Sequence, residues 1–258
     1  MSGDQGRRVL VIGIGPGDPD LLTVAAVRAL NETDAVFIVD KGDAATALQQ
    51  ARRELCERVI ERDHPYRFIE VELGAICDRG EGSYGEAIAG LRDARVDAYE
   101  ELVAGLDPNE TGAFLVWGDP SLYDGNVAIL HDVQARGAVE FSVEVVAGIS
   151  SIAALAARHG VALNRAGESI LVTTGRRLAK DGVPSTVDNI VVMLDTHDSW
   201  QTLDDGFDVW WGAFVGMPDE STVAGKLGEQ RETIDRERTR LRADRGWLFD
   251  TFLFRRPQ

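Results

Sequence analysis

Short apolar runs alternate with amphipathic stretches along most of the chain. Runs rich in Val, Ile, Leu and Phe predict strands at 9–14, 35–39, 113–117 and 141–146. A second set is predicted at 169–173, 190–194, 211–216 and 247–254. Ala44, Leu48, Ala51, Leu55 and Val59 recur at spacings of three and four, which predicts a helix over 44–61. Ile88, Leu91, Val96, Tyr99 and Leu102 sketch another. Helices over 126–136 and 150–159 each run into a glycine, Gly137 and Gly160, suited to a left-handed C-cap. The charge-crowded stretch 229–244 predicts a helix with a solvated face. Strands alternating with helices imply an α/β fold. Polar, loop-forming residues at 161–167 separate the two strand sets, so two α/β domains are expected, 1–163 and 164–258.

Three of the strands empty into loops that could carry chemistry. The first, at 9–18, ends in Gly13, Gly15, Pro16, Gly17 and Asp18. It is not a dinucleotide fingerprint, whose third glycine would fall at Asp18, and no Gly-Lys-Ser/Thr follows to make a P-loop. No Lys or Arg lies between Val9 and Val27, so a polyphosphate would meet no neutralising charge. A glycine-rich, acidic loop without basic residues suits a neutral or cationic small molecule. S-adenosylmethionine, an adenosine bearing a sulfonium and no phosphate, fits that description; a tight strand-to-helix turn without any ligand fits the residues as well. In the second loop, 113–123, Asp119 follows Trp117 and Gly118 at a strand end. Its carboxylate could accept from a ribose hydroxyl or an ammonium, or cap its own turn. The third loop, 146–151, places Ser150 and Ser151 at a helix start, as ligand contacts or as N-caps.

Composition narrows the classes. The 43 acidic and 27 basic residues give a net charge of −16, which argues against a nucleic-acid or anionic-membrane partner. No apolar run approaches the roughly 18 residues that span a bilayer. The first eight residues resemble no secretory leader, and Cys56 and Cys77 form no Cys-x-x-Cys, so a cytoplasmic protein with reduced thiols is expected. His64, His131, His159 and His197 show no metal-ligand spacing, and no metal is implied. His131 and His159 sit on predicted helices and read as structural.

Taken together, Gly-Ile-Gly-Pro-Gly-Asp at 13–18, Gly-Asp-Pro at 118–120 and Gly-Ile-Ser-Ser at 148–151 resemble, in that order, the tetrapyrrole methylase family. The likeness continues at 39–42, 52–56, 114–124, 173–178, 192–195, 210–213, 218–220 and 246–251, covering nearly the whole chain. It implies a class III methyltransferase-like fold, two α/β domains with a ligand cleft between them, and a homodimer. Within the family the motifs are most similar to members that C-methylate a corrin precursor and expel acetate. The cofactor implied is S-adenosylmethionine, leaving as S-adenosylhomocysteine. The residues implied to touch it are Pro16, Trp117, Gly118, Asp119, Leu122, Ser150, Ser151, Met193 and Gly216. Asp119, Tyr123 and Asp124 stand nearest in sequence for assisting loss of the acetyl group. A polycarboxylate macrocycle needs basic partners, for which Arg176, Arg177 and Lys41, all at predicted strand ends, are the candidates. Gly125, Asn126 and Val127 stand where the family carries Ser-Thr-x-Arg, so an anion-binding residue is missing there. Two other readings remain: a methyltransferase of RNA or protein, disfavoured for RNA by the net charge, and an idle cofactor-binding module.

Overall fold

Residues 9–12 are almost wholly buried on both faces of their strand, which is why they read as an unbroken apolar run. They lie in β1 (Arg7–Gly13). The computed structural model describes residues 6–40, 45–62, 65–72 and 84–257. It divides into two compact units, one formed by the chain up to Gly15 and Pro19–Ile149, the other by Pro16–Asp18 and Ser150 onward.

In the first unit, β2 (Ala35–Asp40), β3 (Arg67–Glu72), β4 (Thr111–Val116) and β5 (Phe141–Val146) join β1 in a parallel sheet. The order is β3-β2-β4-β1-β5. Alternate residues feed two cores. Val9, Val11, Phe37 and Phe114 face α3 (Tyr84–Ala104) and α4 (Asn126–Arg136), meeting Tyr99, Leu102, Ile129 and Leu130. Leu10, Ile12, Val36 and Leu115 face α1 (Val24–Asn31) and α2 (Ala45–Val59), meeting Ala26, Leu30, Leu55 and Cys56. The chain leaves β1 through α1 on one face and β4 through α4 on the other. β1 and β4 are neighbours, so the switch in topology falls between them.

The second unit contains α5 (Ser151–His159), β6 (Ile170–Thr174), α6 (Gly175–Asp181), β7 (Asn189–Met193), β8 (Asp208–Ala213), β9 (Ser221–Lys226), α7 (Leu227–Arg245) and β10 (Asp250–Arg255). Its sheet runs β6-β7-β10-β8-β9, with β6 and β7 parallel and the remaining pairs antiparallel. Trp200, Trp211, Phe252 and Phe254 dominate the core. The units divide at the start of α5, whereas the boundary expected at 163/164 lies beyond its end. The reason is packing: His159 Nε2 lies 3.0 Å from Trp211 O, and a Cβ on Gly212 would stand 2.7 Å from Leu155 Cδ1.

Several elements differ from the sequence pattern. β3 and β9 were not expected; both are edge strands, β3 with Phe68, Ile69 and Val71 interrupted by charge and β9 largely polar and exposed. The strand expected at 211–216 lies at 208–213, because Phe214 (φ 50°) and Gly216 (φ 83°) leave the extended region. The strand expected from 247 begins at Asp250, after α7 stops on left-handed Gly246. The solvated helix at 229–244 hides a charge: Arg238 is 1% exposed. Its Nε donates to Asp250 Oδ2 at 2.7 Å, its Nη2 to Asp195 O at 2.6 Å, and Asp198 takes Nη1. The guanidinium also lies over Trp200 and Phe252. One cation thus ties α7 to β10 and to the segment after β7.

Removing one partner of such a buried set strands the others without compensation. Arg238→Ala is expected to lower stability by ~3–5 kcal/mol in chemical denaturation followed by tryptophan fluorescence. A loss below about 1 kcal/mol, the level of an exposed ion pair, would show that α7 is held by its apolar residues alone.

Candidate functional site

The topological switch brings two of the three expected loops side by side. Gly15 N donates to Gly118 O at 3.2 Å and Gly118 N to Gly15 O at 2.7 Å. Both residues have positive φ, 71° and 72°. The end of β5 closes on them. A Cβ on Gly13 would stand 2.6 Å from Gly148 N, and one on Gly148 would overlap Gly118 O. The glycines of 13–17 are therefore used first by the protein's own backbone and not only for a ligand's approach. Gly17 follows the same rule in the second unit, where its Cβ would meet Met217 Cγ at 2.5 Å.

Asp119 locks this meeting point. Leu122 N donates to Asp119 O at 3.1 Å, closing a turn with Pro120 at its second position. The Asp119 side chain accepts from Ser121 N at 2.9 Å and from Ser121 Oγ at Oδ1, and from Gly148 N at 2.8 Å at Oδ2. The capping role is thus present, and it reaches across to the third loop. Oδ2 carries one protein donor and keeps capacity for another. Partial burial pushes the carboxyl up, but the hydrogen bonds from Ser121 Oγ, Gly148 N and Ser121 N outweigh it and hold the group below the usual aspartate value.

Asp124 is also held by the protein. Its Oδ1 accepts from Asn126 N at 2.8 Å and its Oδ2 from Asn126 Nδ2 at 2.9 Å, at the N-terminus of α4, where the helix dipole favours an anion. Tyr123 differs: it is half exposed, has φ 54°, and its hydroxyl makes no hydrogen bond among the described residues. Burial raises its pKa, so it is a proton donor at neutral pH. Trp117 is partly buried with its Nε1 unpartnered among the described residues, and Leu122, five residues on, is partly buried.

The remaining site residues belong to the second unit. Ser150 Oγ accepts from Ala153 N at 3.3 Å as the N-cap of α5, and Ser151 Oγ accepts from Thr251 Oγ1 at 3.2 Å. Pro16 packs by Gly216, whose Cβ would lie 3.4 Å from Pro16 Cγ. Met193 ends β7, and exposed Leu194 follows it at φ 54°. Arg176 and Arg177 open α6 after the N-cap Thr174, and Arg177 pairs with Asp181 at 3.1 Å. Lys41 lies outside the described residues. Among the described residues no group of His, Cys, Asp and Glu is arranged to hold a metal.

Two cations near the second loop lie outside the residues the sequence singles out as a site. Arg52 donates Nε to Leu115 O at 3.3 Å, with its guanidinium 5.4 Å from the Trp117 ring centroid. Arg95 donates Nη2 to Tyr99 OH at 3.1 Å. The available signal was a cation interrupting an apolar helix face: Arg52 is three residues before Leu55, and Arg95 four before Tyr99.

Comparison with known proteins matches this arrangement to a family. The model for Tetrapyrrole (Corrin/Porphyrin) Methylases matches residues 8–230. A Precorrin-6A synthase [deacetylating] of Sinorhizobium sp is 39% identical over 253 residues, covering 97% of this chain and 95% of the relative. A cobalamin synthesis related protein from Corynebacterium diphtheriae superposes with a TM-score of 0.82 at 29% identity, covering 98% of this chain and all of that one. The uroporphyrin-III C-methyl transferase of Thermus thermophilus, solved with S-adenyl homocysteine, shares the fold at a TM-score of 0.54 and 21% identity, over 88% of this chain and 86% of that one. The chain belongs to the tetrapyrrole methylases.

The Asp119 clasp has a pH signature. A carboxyl held below its unfolded value stabilises the fold fully above about pH 4 and loses that contribution as pH falls through the lowered value. The stability gap between wild type and Asp119→Asn is therefore expected to be widest near about pH 7 and to shrink toward about pH 2. Denaturation midpoints across that range check this; a gap independent of pH would show that the charge of Asp119 adds nothing to the clasp.

Proposed function

We propose that this protein is an S-adenosylmethionine-dependent C-methyltransferase of cobalamin biosynthesis, methylating precorrin-5 at C1 with release of acetate to give precorrin-6A. The observation that carries this reading is the near full-length similarity to the Sinorhizobium enzyme. The β1–β4 meeting point supports the cofactor. It offers backbone groups, a carboxylate with an unused acceptor position and an unpartnered indole N–H, and no basic side chain lies between Val9 and Val27 to suit a polyphosphate. Pro16, Trp117, Gly118, Asp119, Leu122, Ser150, Ser151, Met193 and Gly216 are the proposed cofactor contacts.

S-adenosylmethionine supplies a methyl group already activated by its sulfonium, so the protein's task is mainly to hold the accepting carbon in line. The tight loops do this by rigidity: Asp119 and Asp124 fix the turn and the α4 terminus by bonds to Gly148 N, Ser121 and Asn126. Release of acetate requires water to add to the acetyl carbonyl. Of Asp119, Tyr123 and Asp124, Tyr123 alone lacks a protein partner among the described residues, and its proton is available to a developing oxyanion. Arg176 and Arg177 are exposed cations suited to the acceptor's carboxylates, with Lys41 as a further candidate. The protein acts in the cytoplasm as a homodimer, without nucleic-acid or membrane partners. The family likeness suggests the homodimer, and the acidic balance speaks against nucleic-acid and anionic-membrane partners; no described helix is long and apolar enough to cross a membrane.

Calorimetric titration is expected to show binding of S-adenosylmethionine and its demethylated product. Incubation with precorrin-5 is expected to yield a tetrapyrrole that has gained a methyl group and lost its acetyl group by mass. Cofactor binding with methylation of a different tetrapyrrole would move the assignment within the family. Failure to bind the cofactor would end it. Light scattering is expected to return the mass of two chains; the mass of one chain would refute the homodimer.

A further inference from the structure

The acceptor proposed above carries several carboxylates, and the side chains at the carboxyl end of β4 supply positive charge that the reading so far leaves unused. Arg52 from α2 and Arg95 from α3 converge there on one polar network. Arg95 Nη2 donates to Tyr99 OH, Tyr99 OH donates to Asn126 Oδ1, and Asn126 holds both oxygens of Asp124. Arg52 is anchored on the Leu115 carbonyl and lies over Trp117. A Cβ on Gly125 would be 3.5 Å from Arg95 Nη1, so the glycine leaves the guanidinium its space.

Among the described residues neither arginine has a carboxylate oxygen within 4.0 Å, although acidic residues outnumber basic ones 43 to 27. Both side chains are partly buried. Two donors of the same neighbourhood, Arg95 Nε and Trp117 Nε1, are buried without any acceptor. Burial pulls the Arg52 guanidinium down to about 10, with Asp124 opposing, so it stays charged at neutral pH but is poorly solvated. Desolvated cations and orphaned donors at one spot are what an incoming carboxylate would satisfy. Elsewhere a buried or partly buried arginine is satisfied, Arg238 by Asp250 and Arg255 by Asn189 Oδ1 and Ala162 O, whereas Arg95 Nε has no acceptor among the described residues.

We propose that Arg52 and Arg95, beside Trp117, form the pocket that recognises a peripheral carboxylate of the tetrapyrrole acceptor. The pocket rests on the methyltransferase reading above and adds to it the residues that select a carboxylated macrocycle. It also places recognition in the first unit, next to the Gly118–Asp119 loop, in addition to the exposed arginines of α6.

The test uses uroporphyrin III, a stable carboxylated tetrapyrrole, and the full chain. Wild type is expected to bind it by fluorescence titration with an affinity that falls as salt rises. Arg52→Gln combined with Arg95→Gln is expected to raise the dissociation constant about tenfold or more and to flatten the salt dependence, with cofactor affinity and melting temperature little changed. Arg52→Lys and Arg95→Lys, which keep charge but lose the planar fork, are expected to fall between. Unaltered porphyrin affinity in the double variant would overturn the pocket and leave the functional reading standing. Loss of porphyrin and cofactor together, with a lowered melting temperature, would also overturn it by assigning the arginines to the fold. Wild type that binds cofactor but no uroporphyrin III would overturn the pocket; wild type that binds neither would overturn the functional reading as well.

Discussion

Backbone meets backbone where β1, β4 and β5 end, and there is no room between them for a side chain. Gly13, Gly118 and Gly148 are the residues in contact, and a single Cβ on Gly13 or Gly148 would collide with main-chain atoms of its neighbours. Close packing of this kind tolerates no added volume, so it fixes the relative height of three strand ends. The Gly15–Gly118 pair and the Asp119–Gly148 hydrogen bond then follow from it. The topological switch between β1 and β4 falls where open α/β sheets generally bind ligands, and the glycines make that end of the sheet rigid.

Charge is organised around the same point, with acids and bases in different roles. Asp119 and Asp124 accept from backbone, hydroxyl and amide donors and act as braces, Asp119 with one acceptor position left over. Among the described residues Arg52 and Arg95 have no carboxylate oxygen within 4.0 Å, and Asp124 offsets Arg52 only at longer range. A chain of net charge −16 repels bulk polyanions, while cations without a close carboxylate give the proposed carboxylated acceptor a local place to bind.

The second unit is held in a different way. Its sheet is mixed and its core aromatic, and a buried guanidinium joins α7, β10 and the segment after β7. Asp195 completes this joint by accepting from Ser199 N, Ser199 Oγ and Trp200 N. Hydrophobic burial alone would allow α7 to slide along the sheet; directional bonds to one cation set its register.

Local pattern in the sequence determined the buried strands, the helices with clean apolar spacing, the glycine C-caps at 137 and 160, and the family motifs. Each of these follows from forces between residues close in the chain: alternation, helical periodicity or a required backbone angle. β3 and β9 escaped because their apolar residues are few or interrupted by charge, Arg67, Glu70 and Glu72 in β3 and Ser-Thr-Val-Ala-Gly-Lys in β9, although the edge strands β5 and β6 were legible. Arg238 was hidden in a run of charges because nothing local distinguishes a buried cation from the ten other charged residues of the same helix when its partners Asp250 and Asp195 lie on other elements. Likewise only the fold shows that Asp119 reaches Gly148, that α5 packs with β8, and that Arg52 and Arg95 meet around Tyr99 and Asp124. Those facts depend on which distant segments are brought together, and burial and partnership are properties of that assembly, not of any single stretch of chain.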